Sequence, residues 1–357
     1  MATQEFAFTP AGNTVLLIGV GRVGCELAAK CNGAHVRRLL DFDADVLADY
    51  DTAEILCLAG DPENTGDMDA ETMRQSAEDA AQRLLADIRP GRTLAILLCA
   101  IGGQTGSVVL PAFANELKAA QCTVIAVALE PLPFEGGGRT DMAARTVGEL
   151  ENTADLVLVL PNRPLGELFD ASLPVGEAVA RLKAKTLSAI ERIVHAFNCG
   201  SCVGLQPSEL RRSLTDAGRG ALGIGVGRDG DRVEKAIRDA CTNSFLTRES
   251  CQNASAVVLH LLGNRDLSLK EVHTATEMLG QLVGRVPIQV GLTVDQAAGD
   301  DLQATILVTG IRRLNPNALS EEPPVPLAQS QDLSFYDGVN LDIPAFVRRR
   351  PVPQLQY

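Results

Sequence analysis

The chain has 357 residues, of which 46% are hydrophobic and 22% are charged, and its formal net charge is −13. This length and composition can bury a large core and favour two domains. The negative charge excludes non-specific binding of the whole body to nucleic acid or to an anionic membrane surface. No apolar run approaches the roughly 18 residues that span a bilayer. The N-terminus lacks the pattern of a signal peptide, so we expect a cytosolic protein with reduced thiols.

The first motif is a glycine loop that follows an apolar strand. Residues Thr14 to Gly19 form the predicted strand, and the next residues match G-x-G-x-x-G with Gly19, Gly21 and Gly24 around Arg22. A second predicted strand, from His35 to Leu40, delivers Asp41 and Asp43. Taken alone, this pattern predicts a dinucleotide-binding turn in which an acidic residue binds a ribose. An NAD-binding oxidoreductase is therefore one alternative for the function.

A second glycine loop follows the apolar run that begins at Thr93, and a helix follows the loop. The loop consists of Gly102, Gly103, Gln104, Thr105, Gly106 and Ser107. Its glycines let the backbone approach a ligand, and the N-terminus of the following helix favours a phosphate chain. The side chains of Gln104, Thr105 and Ser107 are predicted to donate to this ligand, and those of Thr105 and Ser107 can also cap the helix. A side chain at position 106 is predicted to occupy space that phosphates need.

The remaining apolar periodicity predicts strands and helices along the rest of the chain. Helices are predicted from Asp69 or Glu71 to Ile88, from Val175 to Phe197, after Pro207, and from Leu269 to Leu282. Further strands are predicted over 122–129, 156–160, 257–262, 287–293 and 302–308. The alternation of strands and helices indicates an α/β fold followed by a mixed sheet covered by helices.

Several motifs occur in one order along the chain: Gly102 to Ser107, Pro133-Phe134-Glu135-Gly136, Pro161-Asn162, and the segments Asp216 to Gly225 and Asp266 to Val272. Together they resemble the tubulin/FtsZ superfamily, and bacterial FtsZ in particular. The resemblance covers nearly the whole chain. It implies an α/β fold of tubulin/FtsZ type, with a parallel-sheet GTP-binding domain, a long central helix, a second α+β domain with a mixed sheet, and a flexible C-terminal tail. The corresponding boundaries are 1–174, 175–198, 199–313, a linker over 314–340 and a peptide over 341–357.

The resemblance also implies a ligand, GTP or GDP with Mg²⁺ held mainly by phosphate and water. By position, both glycine loops would lie along the phosphates. Glu135 and Arg139 match the family's ribose and phosphate contacts, and Asn162 matches a guanine contact. The central helix of the family supplies an Asn-Asp pair to the base. Ala180 and Arg181 stand there in this chain, so Arg181 is the candidate base contact.

Catalysis is where the chain departs from the family pattern. The family has an Asn and two Asp residues in the loop after the central helix, and this chain has Gly204, Gln206 and Glu209. Glu209, assisted by Gln206, is therefore the candidate that orients the attacking water across a contact between subunits. We expect GTP hydrolysis that is slow for the family. The alternative is a non-dividing paralogue that serves as a nucleotide-bound scaffold.

The last segment after a Pro-rich stretch is a short apolar peptide with a basic end. Its candidate partner-binding residues are Leu341, Asp342, Ile343, Pro344, Phe346 and Arg348. A tethered apolar motif of this kind is typical of peptides that dock into a groove. It is similar to the C-terminal peptide of FtsZ, which implies membrane tethers of the FtsA, ZipA or SepF type as partners. The resemblance further implies head-to-tail self-assembly into a cytokinetic ring in the cytoplasm at the division site, without direct membrane insertion.

Overall fold

A computed structural model describes residues 14–33, 36–50, 54–58, 68–86, 88–89, 93–160, 172–198, 207–242, 245–246, 248–295 and 298–311, with the backbone of 335–336 and 339–340. The chain divides into two compact units, Met1–Arg312 and Arg313–Tyr357. In the second unit, the short strands Phe335–Tyr336 and Val339–Asn340 pair antiparallel. Across the described residues, no helix is both long and apolar enough to cross a bilayer.

The first half of the larger unit is a parallel α/β sheet. Its elements are β1 (Thr14–Val20), α1 (Gly21–Lys30), β2 (Val36–Asp41), α2 (Ala44–Ala48), β3 (Glu54–Cys57), α3 (Ala70–Leu85), β4 (Thr93–Ala100), α4 (Gln104–Ala119), β5 (Thr123–Leu129), α5 (Gly137–Thr153) and β6 (Leu156–Leu160). The strands lie in the order β3-β2-β1-β4-β5-β6, and all of these neighbours are parallel. Strands β4 and β5 are almost uniformly apolar because helices cover both faces of the sheet.

The second half begins with a long helix and ends in a mixed sheet. Its elements are α6 (Val175–Asn198), α7 (Pro207–Leu214), β7 (Gly218–Gly227), α8 (Arg232–Thr242), α9 (Arg248–Gln252), β8 (Ala256–Gly263), α10 (Leu269–Val283), β9 (Ile288–Val294) and β10 (Leu302–Thr309). Strand β10 is antiparallel to β7 and β8, whereas β8 and β9 are parallel. Strand β7 also pairs with β6, so one sheet of 10 strands runs through the unit. The predicted parallel sheet, long central helix and mixed second sheet are confirmed.

The central helix α6 packs between the two halves of this unit through one apolar face. Ala189, Ile190, Ile193 and Val194 are buried in a core that also contains strand residues from both halves. Polar contacts also tie α6 to the first half. The Lys183 ammonium lies 2.6 Å from a carboxylate oxygen of Glu26 on α1. The Glu191 carboxylate accepts hydrogen bonds from both the backbone and the side-chain nitrogen of Asn32.

Strand β7 is rich in glycine, and the packing of helix α8 explains why. A Cβ placed on Gly223, Gly225 or Gly227 would collide with the backbone oxygen of Ala240, Ala236 or Arg232, respectively. The glycines alternate along one face of the strand, and the opposing carbonyls are four residues apart on one face of the helix. The absence of side chains on this strand face therefore lets the helix backbone rest directly on the sheet.

Candidate functional site

A cleft of about 270 Å³ opens at the carboxyl ends of β1, β2 and β4. Ligands of open α/β sheets bind at such a point, where the order of the strands reverses. The cleft brings together much of the set predicted from the sequence: Gly21, Arg22, Asp41, Gly103, Gln104, Thr105 and Gly106. Asp43, which the sequence places just after Asp41, also lines the cleft. The cleft is completed by residues that the sequence did not indicate, namely Val20, Val23, Val46, Cys99 and Ala100.

Two helices begin at this cleft, and both have free N-termini. Helix α1 follows Val20 and helix α4 follows Gly103, and within the described residues neither N-cap makes a side-chain hydrogen bond to its helix. The first N–H groups of a helix have no intrahelical acceptor, and the helix dipole adds partial positive charge there. The cleft is therefore suited to an anion that can accept hydrogen bonds from both helix ends.

Some of the predicted phosphate-loop glycines have a packing role instead. A Cβ on Gly19 would collide with the backbone oxygen of Gly24, and a Cβ on Gly24 would collide with that of Leu98. Gly102 has φ +91°, and its Cβ would lie 2.7 Å from the backbone oxygen of Arg139. These three glycines let α1 and the start of α5 approach the strands closely, and so they shape the cleft without lining it.

The glycines that do line the cleft differ in what a side chain would meet. A Cβ on Gly106 would lie 2.5 Å from the backbone oxygen of Ala100 and 2.6 Å from Cys99 Sγ. The reason expected from the sequence is therefore wrong, because a side chain at Gly106 first collides with β4. No described atom lies within 4 Å of a Cβ on Gly103, whose φ of −98° suits any residue. Gly21 also has open space, but its φ of +72° favours glycine.

The polar side chains of the second loop hold the loop itself. The Ser107 hydroxyl oxygen accepts a hydrogen bond from the Gly102 N–H at 3.2 Å, which closes the turn before α4. The Gln104 side-chain amide donates to the backbone oxygen of Met68 at 2.9 Å, just before α3 begins. Ser107 is thus not the helix cap that we expected, since Gly103 is the N-cap residue. The Ser107 hydroxyl proton is still free to donate, so its role as a ligand donor stays a prediction. The Thr105 side chain lines the cleft and remains a candidate donor.

Acidic groups lie at the β2 side of the cleft. Asp41 is buried, and its burial raises the pKa of the carboxyl despite a hydrogen bond from the Asp43 N–H at 3.2 Å. Arg22 lies across the opening, with its guanidinium 3.7 Å from an Asp43 carboxylate oxygen, and both side chains are well exposed. Burial also raises the pKa of the Cys99 thiol, which therefore stays protonated at neutral pH. Nothing in the cleft carries the reactivity of a thiolate.

Two other predicted contacts lie beside the cleft and one lies on the central helix. Glu135 and Arg139 form an ion pair with each other, and Glu135 Oε1 accepts the Leu132 N–H at 2.8 Å. Because Arg139 packs against Gly102, this pair lies next to the second glycine loop. Arg181 pairs with Glu177 within α6, at 2.5 Å.

The remaining predicted residues lie outside the described residues, or their side chains are not described. Asn162, Gln206 and the peptide residues Leu341, Asp342, Ile343, Pro344, Phe346 and Arg348 lie outside the described residues. Glu209 lies in helix α7, but its side chain is not among those described. Their proposed roles therefore remain predictions from the sequence.

The architecture and the cleft define the class of protein. Over 84% of this chain, the fold matches 89% of an empty FtsZ dimer structure from M. jannaschii, with a TM-score of 0.74 at 19% identity. It also matches a GTPγS-bound protofilament structure of CetZ2 from Haloferax volcanii, covering 86% of this chain and 96% of that one, with a TM-score of 0.68 at 18% identity. The fold is therefore that of the tubulin/FtsZ class.

Sequence comparisons narrow this class. Residues 218–312 match the family model described as the FtsZ family, C-terminal domain. The cell division protein FtsZ of Coxiella burnetii is 24% identical over 278 residues, which cover 78% of this chain and 72% of the relative. Both comparisons confirm the predicted resemblance to FtsZ, and the low identity shows that this chain diverges from the relatives it matches.

Proposed function

We propose that the cleft between α1 and α4 binds GTP or GDP, and that the chain is a filament-forming GTPase of the FtsZ type. The observation that carries this proposal is the meeting of two uncapped helix N-termini at one cleft. Backbone N–H groups from both sides can neutralise a chain of phosphates without a lysine. Gly103 and Gly21 leave room for that chain to approach the backbone.

The rest of the nucleotide extends beyond the phosphates in this proposal. The Glu135–Arg139 pair beside the second loop would contact ribose and phosphate, and Asn162 and Arg181 would meet the base. The described ranges contain no cluster of three or more His, Cys, Asp or Glu side chains that could hold a metal. In this proposal, as the resemblance to FtsZ implies, Mg²⁺ would be bound mainly by phosphate oxygens and water, and it would offset the charge that develops during hydrolysis.

The rival, an NAD-binding oxidoreductase, is compatible with the topology but is less well supported. The strand order β3-β2-β1-β4-β5-β6 is shared with dinucleotide-binding folds. Such folds need only the first glycine loop, whereas here the second loop forms the facing wall of the same cleft. The family match over residues 218–312 also favours a guanine nucleotide.

The cellular role follows from the relatives in this proposal. Subunits would associate head to tail, and the C-terminal peptide would attach the filaments to a membrane tether of the FtsA, ZipA or SepF type. The filaments would form a cytokinetic ring in the cytoplasm at the division site. Water that attacks the γ-phosphate would be oriented by Glu209, assisted by Gln206, from the neighbouring subunit. Hydrolysis would then require a filament contact.

A second candidate is a scaffold that binds nucleotide and does not turn it over. The replacement of family carboxylates by Gly204 and Gln206 favours it, as does the similarity to CetZ structures. Sedimentation with and without GTP, together with phosphate release at increasing protein concentration, separates the candidates. A dividing GTPase pellets with GTP and its turnover per subunit rises with concentration. Pelleting without any phosphate release would support the scaffold, and failure to pellet with GTP would contradict filament formation.

A further inference from the structure

A second and larger cleft, of about 500 Å³, lies beside the central helix and shares no lining residue with the nucleotide cleft. One wall is the face of α6 that carries Ser188, Glu191, Arg192 and His195, at helical spacing. The opposite wall consists of Leu262 at the end of β8, Asp295 after β9 and Gln303 on β10. Its volume lies in the range of small-molecule sites, which is about 300 to 1,000 Å³.

Arg192 is the group in this cleft that points to a ligand. Burial lowers the pKa of its guanidinium, which shows that the charge is partly removed from water. In the part of the chain that the structure describes, no hydrogen bond or ion pair engages this guanidinium. The Glu191 charge raises this pKa in part, but it makes no hydrogen bond to the guanidinium fork. Such a fork is matched by a carboxylate or a phosphate that can accept two of its hydrogen bonds.

The charged groups near Arg192 make no hydrogen bond to its guanidinium, so a bound anion could accept hydrogen bonds from it. The Glu191 carboxylate beside Arg192 already accepts two hydrogen bonds from Asn32, at 3.0 and 3.2 Å. Burial lowers the pKa of His195, and Arg192 lowers it further, whereas Asp295 raises it. The neutral His195 ring packs against His260, with ring centroids 5.9 Å apart. His260 is itself buried and lies 2.9 Å from the Thr293 hydroxyl, so the pair forms an uncharged floor near Arg192.

We propose that this cleft binds a small molecule that bears an oxyanion, a carboxylate or a phosphate, through Arg192. The Ser188 hydroxyl and the Gln303 amide would contact its polar part, and Leu262 and Ala298 would contact its apolar part. The ligand would contact α6 and the second sheet at once. The site is separate from the nucleotide cleft and does not depend on the nature of the nucleotide.

The histidines provide a direct readout, because the chain has 4 of them and His195 alone among the described ones lines this cleft. Histidine-labelled full-length protein is titrated with inorganic phosphate and, separately, with succinate, at constant ionic strength. An anion bound to Arg192 stabilises the His195 imidazolium, so the pKa of His195 rises by about one pH unit at saturation. The exposed His273, which lies 3.3 Å from Glu277, serves as the internal control and should not shift. A response to phosphate alone or to succinate alone identifies the class of oxyanion.

Variants separate binding from general electrostatics. Arg192→Gln should abolish the saturable shift of His195, whereas Arg238→Gln, which removes an exposed arginine on α8, should leave it unchanged. Ala298→Leu keeps every charge and narrows the cleft. The anion concentration that gives half of the His195 shift should therefore rise at least tenfold. An unchanged His273 signal and a cooperative unfolding transition in the free variants show that they are folded. The absence of a saturable His195 shift with either probe overturns the proposal, as does an undiminished shift in folded Arg192→Gln. Because His195 reports only on this cleft, neither result depends on whether GTP binds.

Discussion

Replacement of Gly103 by leucine tests the nucleotide cleft with little effect on the fold. Gly103 is the N-cap residue of α4, with φ −98° and ψ 158°, a conformation that any residue adopts. No described atom lies within 4 Å of a Cβ there, so the main cost is that of leucine at an N-cap, about 1 kcal/mol of the free energy of unfolding. The new side chain would stand at the wall of the cleft, where the phosphates should approach the first N–H groups of α4.

The expected loss of affinity follows from the hydrogen bonds that the side chain would prevent. A hydrogen bond to a charged group contributes about 1.5–3 kcal/mol. The loss of one such bond to phosphate therefore weakens GTP binding about 10- to 100-fold. Equilibrium binding of a fluorescent GTP analogue, with competition by unlabelled GTP, measures this change. Gly280→Ala is the matched control, since it adds a methyl group in open space on α10, far from the cleft.

Gly106→Ala should lower the stability of the fold more than Gly103→Leu does. Its Cβ would lie 2.5 Å from the backbone oxygen of Ala100, and overpacking of this kind costs about 1–3 kcal/mol of stability. We expect a lower melting temperature in this variant, so its loss of binding cannot be assigned to the ligand. If Gly103→Leu is folded and binds GTP with parental affinity, the phosphates do not lie along α4 and the reasoning is refuted.

Three further predictions address catalysis, attachment and acid stability. Glu209→Ala should retain GTP-dependent sedimentation but lose most phosphate release, and parental turnover would remove Glu209 from the mechanism. Deletion of Leu341–Tyr357 should leave sedimentation intact while abolishing capture by a purified membrane tether, and Phe346→Ala should do most of this; loss of assembly on deletion would instead place the tail in the folded body. Hydrogen bonds from Arg232, with further ones from Ser268, lower the pKa of Glu271 to about 2. The ionised Glu271 therefore stabilises the fold above pH 4.5, and this stabilisation is lost as the pH falls towards 2. Arg232→Gln should flatten urea-unfolding stability between pH 5 and pH 3, and an unchanged pH dependence would contradict this.

Much of the fold could be predicted because its strands are apolar runs bounded by turn residues. Strand β6 has the predicted bounds, and the Asp69 N-cap of α3 accepts a hydrogen bond from the Thr72 N–H as its sequence position indicates. Strand β7 was not predicted as a strand, because glycine has no side chain to pack and is therefore uncommon in strands. The alternation of Gly223, Gly225 and Gly227 is the pattern that could have indicated this strand, because it predicts a strand with no side chains on one face.

The position of the candidate site could be predicted from the sequence, but the role of each residue in it could not. The two glycine loops follow β1 and β4, which are neighbours in the sheet, so both loops reach the same edge. Which glycine faces a ligand depends on packing between elements far apart in the sequence. Gly24 meets Leu98 and Gly102 meets Arg139, and neither contact follows from local spacing. The commitment of Ser107 to the Gly102 N–H likewise depends on how the turn closes.

The most direct test of the central claim is to identify the nucleotide that leaves the purified protein when it is unfolded. The protein is denatured, the released small molecules are separated by chromatography, and they are quantified per mole of chain. We predict GTP or GDP, either as purified or after incubation with GTP and removal of the excess. Recovery of NAD, or of no guanine nucleotide after that incubation, would contradict the assignment of the cleft between α1 and α4.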